Sequence, residues 1–197
     1  MRFSRLLGLV VVAFSLIPTI AWAQTCANTG VPGTPYEGFG SVATGGAGLT
    51  VFTVNTTTDS VAGTGNSGAL RYGASLGNRC IQFSAAFTLN TAAGGRIAVA
   101  SNTTIDGWSA PSPGVTMDGG FTMSGAALSN IIIRGLRLRS CPGDCIDITT
   151  GASNIIISHV SAGGSTDELM SVTGGAHDVS FLHNIMSGPS STHPTVS

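Results

Sequence analysis

The sequence predicts an all-β chain wound as a parallel β-helix, a solenoid whose coils are about 24 residues long, and three observations lead there. First, one pattern returns at a fixed interval: SNIIIRGLRLR begins at Ser129, SNIIISHVSA at Ser153 and HDVSFLHNIMS at His177. Asn130, Asn154 and Asp178 therefore fall 24 residues apart, as do Ile148 and Val172, and His159 and His183. Second, runs such as Ile131 to Ile133 and Ile155 to Ile157 are β-branched, short and flanked by residues that turn easily, which suits strands rather than amphipathic helices. Third, the apolar positions are Ile and Val rather than the dense Leu framework of a leucine-rich repeat. In such a stack each residue lies about 4.8 Å from its counterpart in the next coil, so matching columns become ladders.

Residues 1–23 read as a secretory signal, with Arg2 and Arg5 at the charged end, Leu6 to Ile17 as the apolar core and Ala21-Trp22-Ala23 as the cleavage site. Ser15 and Pro18 interrupt the apolar run, which is short for a bilayer span of about 20 residues. Residues 24–197 then form one exported, soluble domain, expected to be a monomer. The chain has no Lys, and its charged residues make up 9% of the total against about 25% in an ordinary globular protein, so nucleic acid is excluded as a partner.

The glycine-dense EGFGSVATGG, Glu37 to Gly46, reads as tightly turning backbone; a phosphate loop needs a Lys that is absent. Val51 to Val54 is a strand. SGALRYGASLG, Ser67 to Gly77, is the one helix, with Ser67 as its N-cap, and it serves as a lid on the open end of the stack. Ile81 to Phe83, Phe87 to Leu89, Arg96 to Val99 and Thr103 to Ile105 are strands of the first coils. Asn102 precedes Asn130 by 28 residues, and the extra ones are placed in the loop Gly107 to Gly114, where Pro111 and Pro113 forbid regular pairing. Insertions of that kind tend to line a solenoid's binding face.

Cys26, Cys80, Cys141 and Cys145 allow three pairings in an oxidising compartment. The short CPGDC loop favours Cys141 with Cys145, leaving Cys26 for Cys80.

The chemistry gathers in two adjacent coils, where Asp144 stacks on Glu168, Gly143 on Asp167 and Asp147 on Ser171. Two ionised carboxylates about 4.8 Å apart repel by roughly 3.5 kcal/mol at an effective dielectric of about 20, and a cation offsets that. Calcium suits oxygen ligands one coil apart. Solvation of Asp147, or backbone hydrogen bonds to Asp144 within the Cys141 to Cys145 loop, is the alternative. His159 and His183 read as a structural ladder, and Asn130 and Asn154 as a hydrogen-bonding turn ladder; Ser171 has no partners that suggest a nucleophile.

In order, EGFGSVATGG, SGALR, SNIIIRGLRLR, GDCIDI and SNIIISHVSAGGSTDELMSV resemble the pectate lyases of polysaccharide lyase family 1, especially the bacterial branch whose motif reads STDE, over about Tyr36 to Ser197. The resemblance implies a right-handed parallel β-helix, secretion, and calcium-dependent β-elimination of polygalacturonate, the backbone of pectin, to a 4,5-unsaturated end. It implies that Asp144 and Asp167 bind calcium, with Asp147 supplying the oxygen lost where the usual Asp is Ser171. His159 matches the family's I-D-H motif with Ser158 in place of Asp, and Gly164 stands where an aromatic is usual. The family's base is an Arg about two coils beyond the calcium strand, past Ser197; Arg134, Arg137 and Arg139 match no catalytic position. The expectation is thus a carboxy-terminally truncated lyase with little activity of its own. Two other classes are a non-catalytic β-helix that binds cell-wall glycan, and a β-helical glycoside hydrolase, for which a cluster of acidic residues would act by acid and base catalysis.

Overall fold

The computed structural model describes Cys26, Ala27, Thr29, Gly30 and residues 34–188; the expected signal segment lies outside them. In chain order the first strands are β1 (Thr50–Val54), β2 (Ser67–Gly68), β3 (Arg79–Phe83), β4 (Thr88–Asn90), β5 (Ile97–Ala98), β6 (Thr103–Asp106), β7 (Val115–Asp118) and β8 (Phe121–Ser124), with helix α1 (Leu70–Leu76) between β2 and β3. They are followed by β9 (Ser129–Arg134), β10 (Leu136–Arg139), β11 (Ile146–Thr149), β12 (Ser153–Ser158), β13 (Ser161–Gly163), β14 (Met170–Val172), β15 (His177–Leu182) and β16 (Ile185–Met186). Four coils, β3 to β5, β6 to β8, β9 to β11 and β12 to β14, each contribute one strand to each of three sheets, ordered β15-β12-β9-β6-β3-β1-β2, β16-β13-β10-β7-β4 and β14-β11-β8-β5; β1 and β2 extend only the first sheet, and β15 and β16 the first and second. Every strand pair in these sheets is parallel, as a β-helix requires. None of the described helices is long and apolar enough to cross a membrane.

Register makes the core. Phe52, Ile81, Ile105, Ile133 and Ile157 are successive Cα partners across β1, β3, β6, β9 and β12. All five are fully buried. Each contributes roughly 1.5–3 kcal/mol of hydrophobic stabilisation. The next column, one residue earlier in each strand, faces away from this core: Cys80, Thr104, Ile132, Ile156 and Ser180. It is nevertheless buried, because the amino-terminal arm lies on it. Tyr36 and Ala43 pack on Ile132 and Ile156, and the amides of Gly40 and Gly46 donate to Ser180 Oγ and Thr104 Oγ1. This close approach explains the glycines of the arm: a Cβ on Gly46 would stand 2.0 Å from the Arg79 carbonyl oxygen, and one on Gly40 2.5 Å from that of Ile155.

Turns between coils are set by residues at positive φ. Asn78, Asn102, Asn130, Asn154 and Asp178 all have φ between 50° and 65°. Asn and Asp tolerate this left-handed conformation better than other side chains. Asn130 Nδ2 donates to Asn102 Oδ1 and Asn102 Nδ2 to Asn78 Oδ1, so the side chains form a ladder.

Helix α1 closes one end, burying Leu70, Gly73 and Ala74 against the first coil, with Phe52 and Tyr72 edge to face at 5.8 Å. Ser67 is not its N-cap. Ser67 pairs with Thr53 in β2, the cap position is Ala69, and no side chain caps the helix. Strand pairing across the chain overrides the local capping preference. The insertion sits in the loop between β6 and β7: the partner offset is 28 residues at Thr103↔Ile131 and 21 at Val115↔Leu136. That loop borders Gly135, Arg137 and His159, on a different flank from the acidic residues.

Candidate metal centre

Strand β11 leaves the CPGDC loop, and the loop from Gly164 to Leu169 enters β14 directly above it, with Asp147 and Ser171 as Cα partners. A disulfide joins Cys141 to Cys145 and holds the first loop closed; a second joins Cys26 to Cys80 and ties the arm to the outer column of β3. Carboxylate oxygens of Asp144, Asp167 and Glu168 all lie within 4.8 Å of one another. Asp144 is buried, whereas Asp167 and Glu168 are exposed. A side-chain hydrogen bond with Asp167 is the main cause that raises the Glu168 pKa, and the charges of Asp167 and Asp144 add to it.

Asp147 is not a member of this group. Its Oδ2 accepts from Thr122 Oγ1 at 3.1 Å and faces Arg96 Nη2 at 3.2 Å. Arg96 Nη1 also lies 3.7 Å from Asp144 Oδ1. Ser171 donates to the other oxygen, Asp144 Oδ2, and so orients the carboxylate. Arg96 was absent from the candidates drawn from the sequence. A strict 24-residue count does not signal it, because Ile146 pairs with Phe121 at an offset of 25, so the column of Arg96 and Gly120 runs to Cys145 and only the long side chain of Arg96 reaches Asp144.

The donor set fits calcium. It is made only of carboxylate oxygens, and two oxygens 4.8 Å apart can both touch one ion, since calcium takes ligands at about 2.3–2.6 Å. Among the expected ligands the structure thus gathers Asp144 and Asp167, adds Glu168, and sets Asp147 against a guanidinium.

The other singled-out residues have structural partners. His159 and His183 lie with ring centroids 4.9 Å apart, and Trp108 meets His159 edge to face at 5.1 Å. Burial and the neighbouring His183 lower the His159 pKa. Ser158 Oγ contacts His159 Nδ1 at 2.8 Å. Arg134 is bound by Asp106, Tyr36 and the arm carbonyls of Ala27 and Thr29. Arg137 donates to Thr116 and Arg139 to Ser161, both on the sheet of β10.

Comparison with known proteins fits this geometry. Over 176 residues the chain is 34% identical to the probable pectate lyase C of Emericella nidulans, and over 175 residues it is 33% identical to that of Aspergillus oryzae. The chain is related to the pectate lyases. It spans 39% of the length of these two relatives, whose alignments cover 86% of it. The crystal structure of Jun a 1, the major allergen from cedar pollen, matches the chain with a TM-score of 0.65 and 27% identity, over 74% of this chain and 47% of that one. No protein-family profile matches the chain.

Proposed function

We propose that the chain carries the calcium-binding part of a secreted pectate lyase that cleaves polygalacturonate by β-elimination. The observation that carries the reading is the convergence of Asp144, Asp167 and Glu168 from two adjacent coils, in a chain related to pectate lyases. Asp144 and Asp167 are assigned as ligands, with Glu168 beside them; Asp147 is assigned to hold Arg96 and to add negative charge. Calcium, when bound, supplies the positive charge that pairs with a uronate carboxylate and makes the neighbouring C5 proton more acidic. Ser171 keeps the Asp144 carboxylate turned toward the site by donating to Oδ2. Arg71, Arg96 and Arg134 are ion-paired, and Arg137 and Arg139 lie on another sheet, so we assign the proton-abstracting base to none of them.

Export is part of the same proposal. Residues 1–23 are removed as a signal, and residues 24–197 form one domain whose two disulfides suit an oxidising compartment. The STDE motif at Ser165 to Glu168 supports the bacterial branch of the family.

The test is calorimetric titration of the secreted chain with calcium, followed by binding to immobilised polygalacturonate with and without chelator. Saturable calcium binding that Asp144→Asn and Asp167→Asn abolish, with polygalacturonate retained only when calcium is present, is the expected result. Retention indifferent to chelator, or cleavage products without a new double bond, overturns the reading.

A further inference from the structure

The acidic site contains a cation of its own. Arg96 directly precedes β5, two coils before Asp144, and its guanidinium reaches Asp144 Oδ1 at 3.7 Å and Asp147 Oδ2 at 3.2 Å. Register explains how it gets there. Ile97, Phe121 and Ile146 are successive Cα partners, so Gly120 occupies the coil that the side chain must cross. A Cβ on Gly120 would stand 2.7 Å from the carbonyl oxygens of Asp144 and Cys145, so a glycine here lets the two coils approach closely. At the far end Gly143 leaves room for the guanidinium: a Cβ there would stand 2.8 Å from Arg96 Nη1. The Asp144 carboxylate is thus shared. One oxygen faces Arg96, and the same side chain belongs to the group with Asp167 and Glu168. The Arg96 side chain is 30% exposed, against 9% for Asp144, so it can leave toward solvent while the carboxylate cannot.

Resting on the calcium reading of this site, we propose that Arg96 is the resident counter-ion of the acidic group, and that calcium binds in competition with it. In the calcium-free protein the guanidinium offsets one of the two negative charges of Asp144 and Asp147. Calcium brings a second positive charge to the same carboxylate, and two like charges that close repel. The guanidinium therefore gives up Asp144 when the ion enters. Arg96 is in this sense a positioning residue that sets the affinity for calcium without touching it.

Calcium titration of the wild type, Arg96→Gln, Arg96→Met and Arg96→Lys tests this, with circular dichroism confirming that each variant is folded. Arg96→Gln is expected to bind calcium about tenfold more tightly, roughly the effect of removing one like charge nearby. Arg96→Lys keeps the charge and stays within about threefold of wild type. Arg96→Met removes the same charge while keeping an apolar stem and shifts affinity the same way; it serves as the second probe if Arg96→Gln does not fold. Equal or weaker calcium binding by folded Arg96→Gln, or by folded Arg96→Met where it stands alone, overturns the competition and leaves the calcium site standing. Absence of calcium binding in the wild type and in every variant overturns the site reading and the competition together. Binding by Arg96→Gln where the wild type shows none supports both.

Discussion

Asp106 and Arg134 meet carboxylate to guanidinium across adjacent coils, with Nε to Oδ1 at 3.0 Å and Nη2 to Oδ2 at 2.8 Å. Both side chains are buried, Asp106 completely. Burial alone lowers the Arg134 pKa, but the hydrogen bonds and charge of Asp106 outweigh it and the net shift is upward. The remaining nitrogen, Nη1, donates to Ala27, Thr29 and Tyr36, and the guanidinium lies 4.8 Å from the Trp108 ring centroid. Arg134 is therefore the fastening between the coil stack and the amino-terminal arm.

Removing one partner leaves a buried charge without compensation. Asp106→Asn is expected to cost about 3–5 kcal/mol of unfolding free energy. The double variant Asp106→Leu with Arg134→Met removes both charges and should cost less than Asp106→Asn alone. Urea denaturation of the three proteins checks the order; a double variant less stable than the single one would contradict this account.

Tyr36 gives the same fastening a dependence on pH. Burial raises its pKa above the ordinary value, with the Arg134 hydrogen bond opposing. The unfolded chain loses the phenol proton first, so above about pH 10 the unfolded state binds fewer protons and stability falls as pH rises. The contribution is whole below the unfolded pKa and is lost as pH passes through the folded one. Tyr36→Phe should show a flatter decline in denaturation midpoint between about pH 9 and 11. At neutral pH it costs about 1 kcal/mol for the lost hydrogen bond.

The two disulfides should differ in worth. Cys26–Cys80 closes a span of 54 residues and Cys141–Cys145 one of 4. Chain entropy alone gives about 4 kcal/mol for the first and about 2 kcal/mol for the second. Cys26→Ser with Cys80→Ser is expected to lower the thermal midpoint more than Cys141→Ser with Cys145→Ser. Limited proteolysis of the first variant should cut within the arm, which Cys26 no longer anchors.

The coil stack was legible because parallel stacking repeats a contact at a fixed interval, and Asn130, Asn154 and Asp178 display that interval directly. The arm was less so. Ile132 and Ile156 look like any core isoleucine, yet they face out of the stack and are buried by Tyr36 and Ala43, far away in the chain. Ser67 misled for a related reason, since its pairing with Thr53 depends on a neighbour that capping rules ignore. In the site, Asp144 and Glu168 share a column and the family resemblance picks out Asp144 and Asp167, but a column places Cα atoms and not side-chain ends. Asp147 sits under Ser171 by register while its carboxylate is taken by Arg96 and Thr122.

Asp144 and Asp147 are therefore expected to differ as calcium ligands. Asp144 joins Asp167 and Glu168 within 4.8 Å, and Asp147 does not. Asp144→Asn removes a charged ligand that no other described carboxylate in the group replaces from the same coil, and calcium binding should be lost. Asp147→Asn removes only charge at one remove and one of the two anchors of Arg96, so binding should persist with a modest change in affinity. Titration calorimetry of the two variants decides the matter. Loss of binding in Asp147→Asn with retention in Asp144→Asn would move the ion to the Arg96 side of the strand, and Arg96 would then have to vacate both carboxylates for calcium to enter.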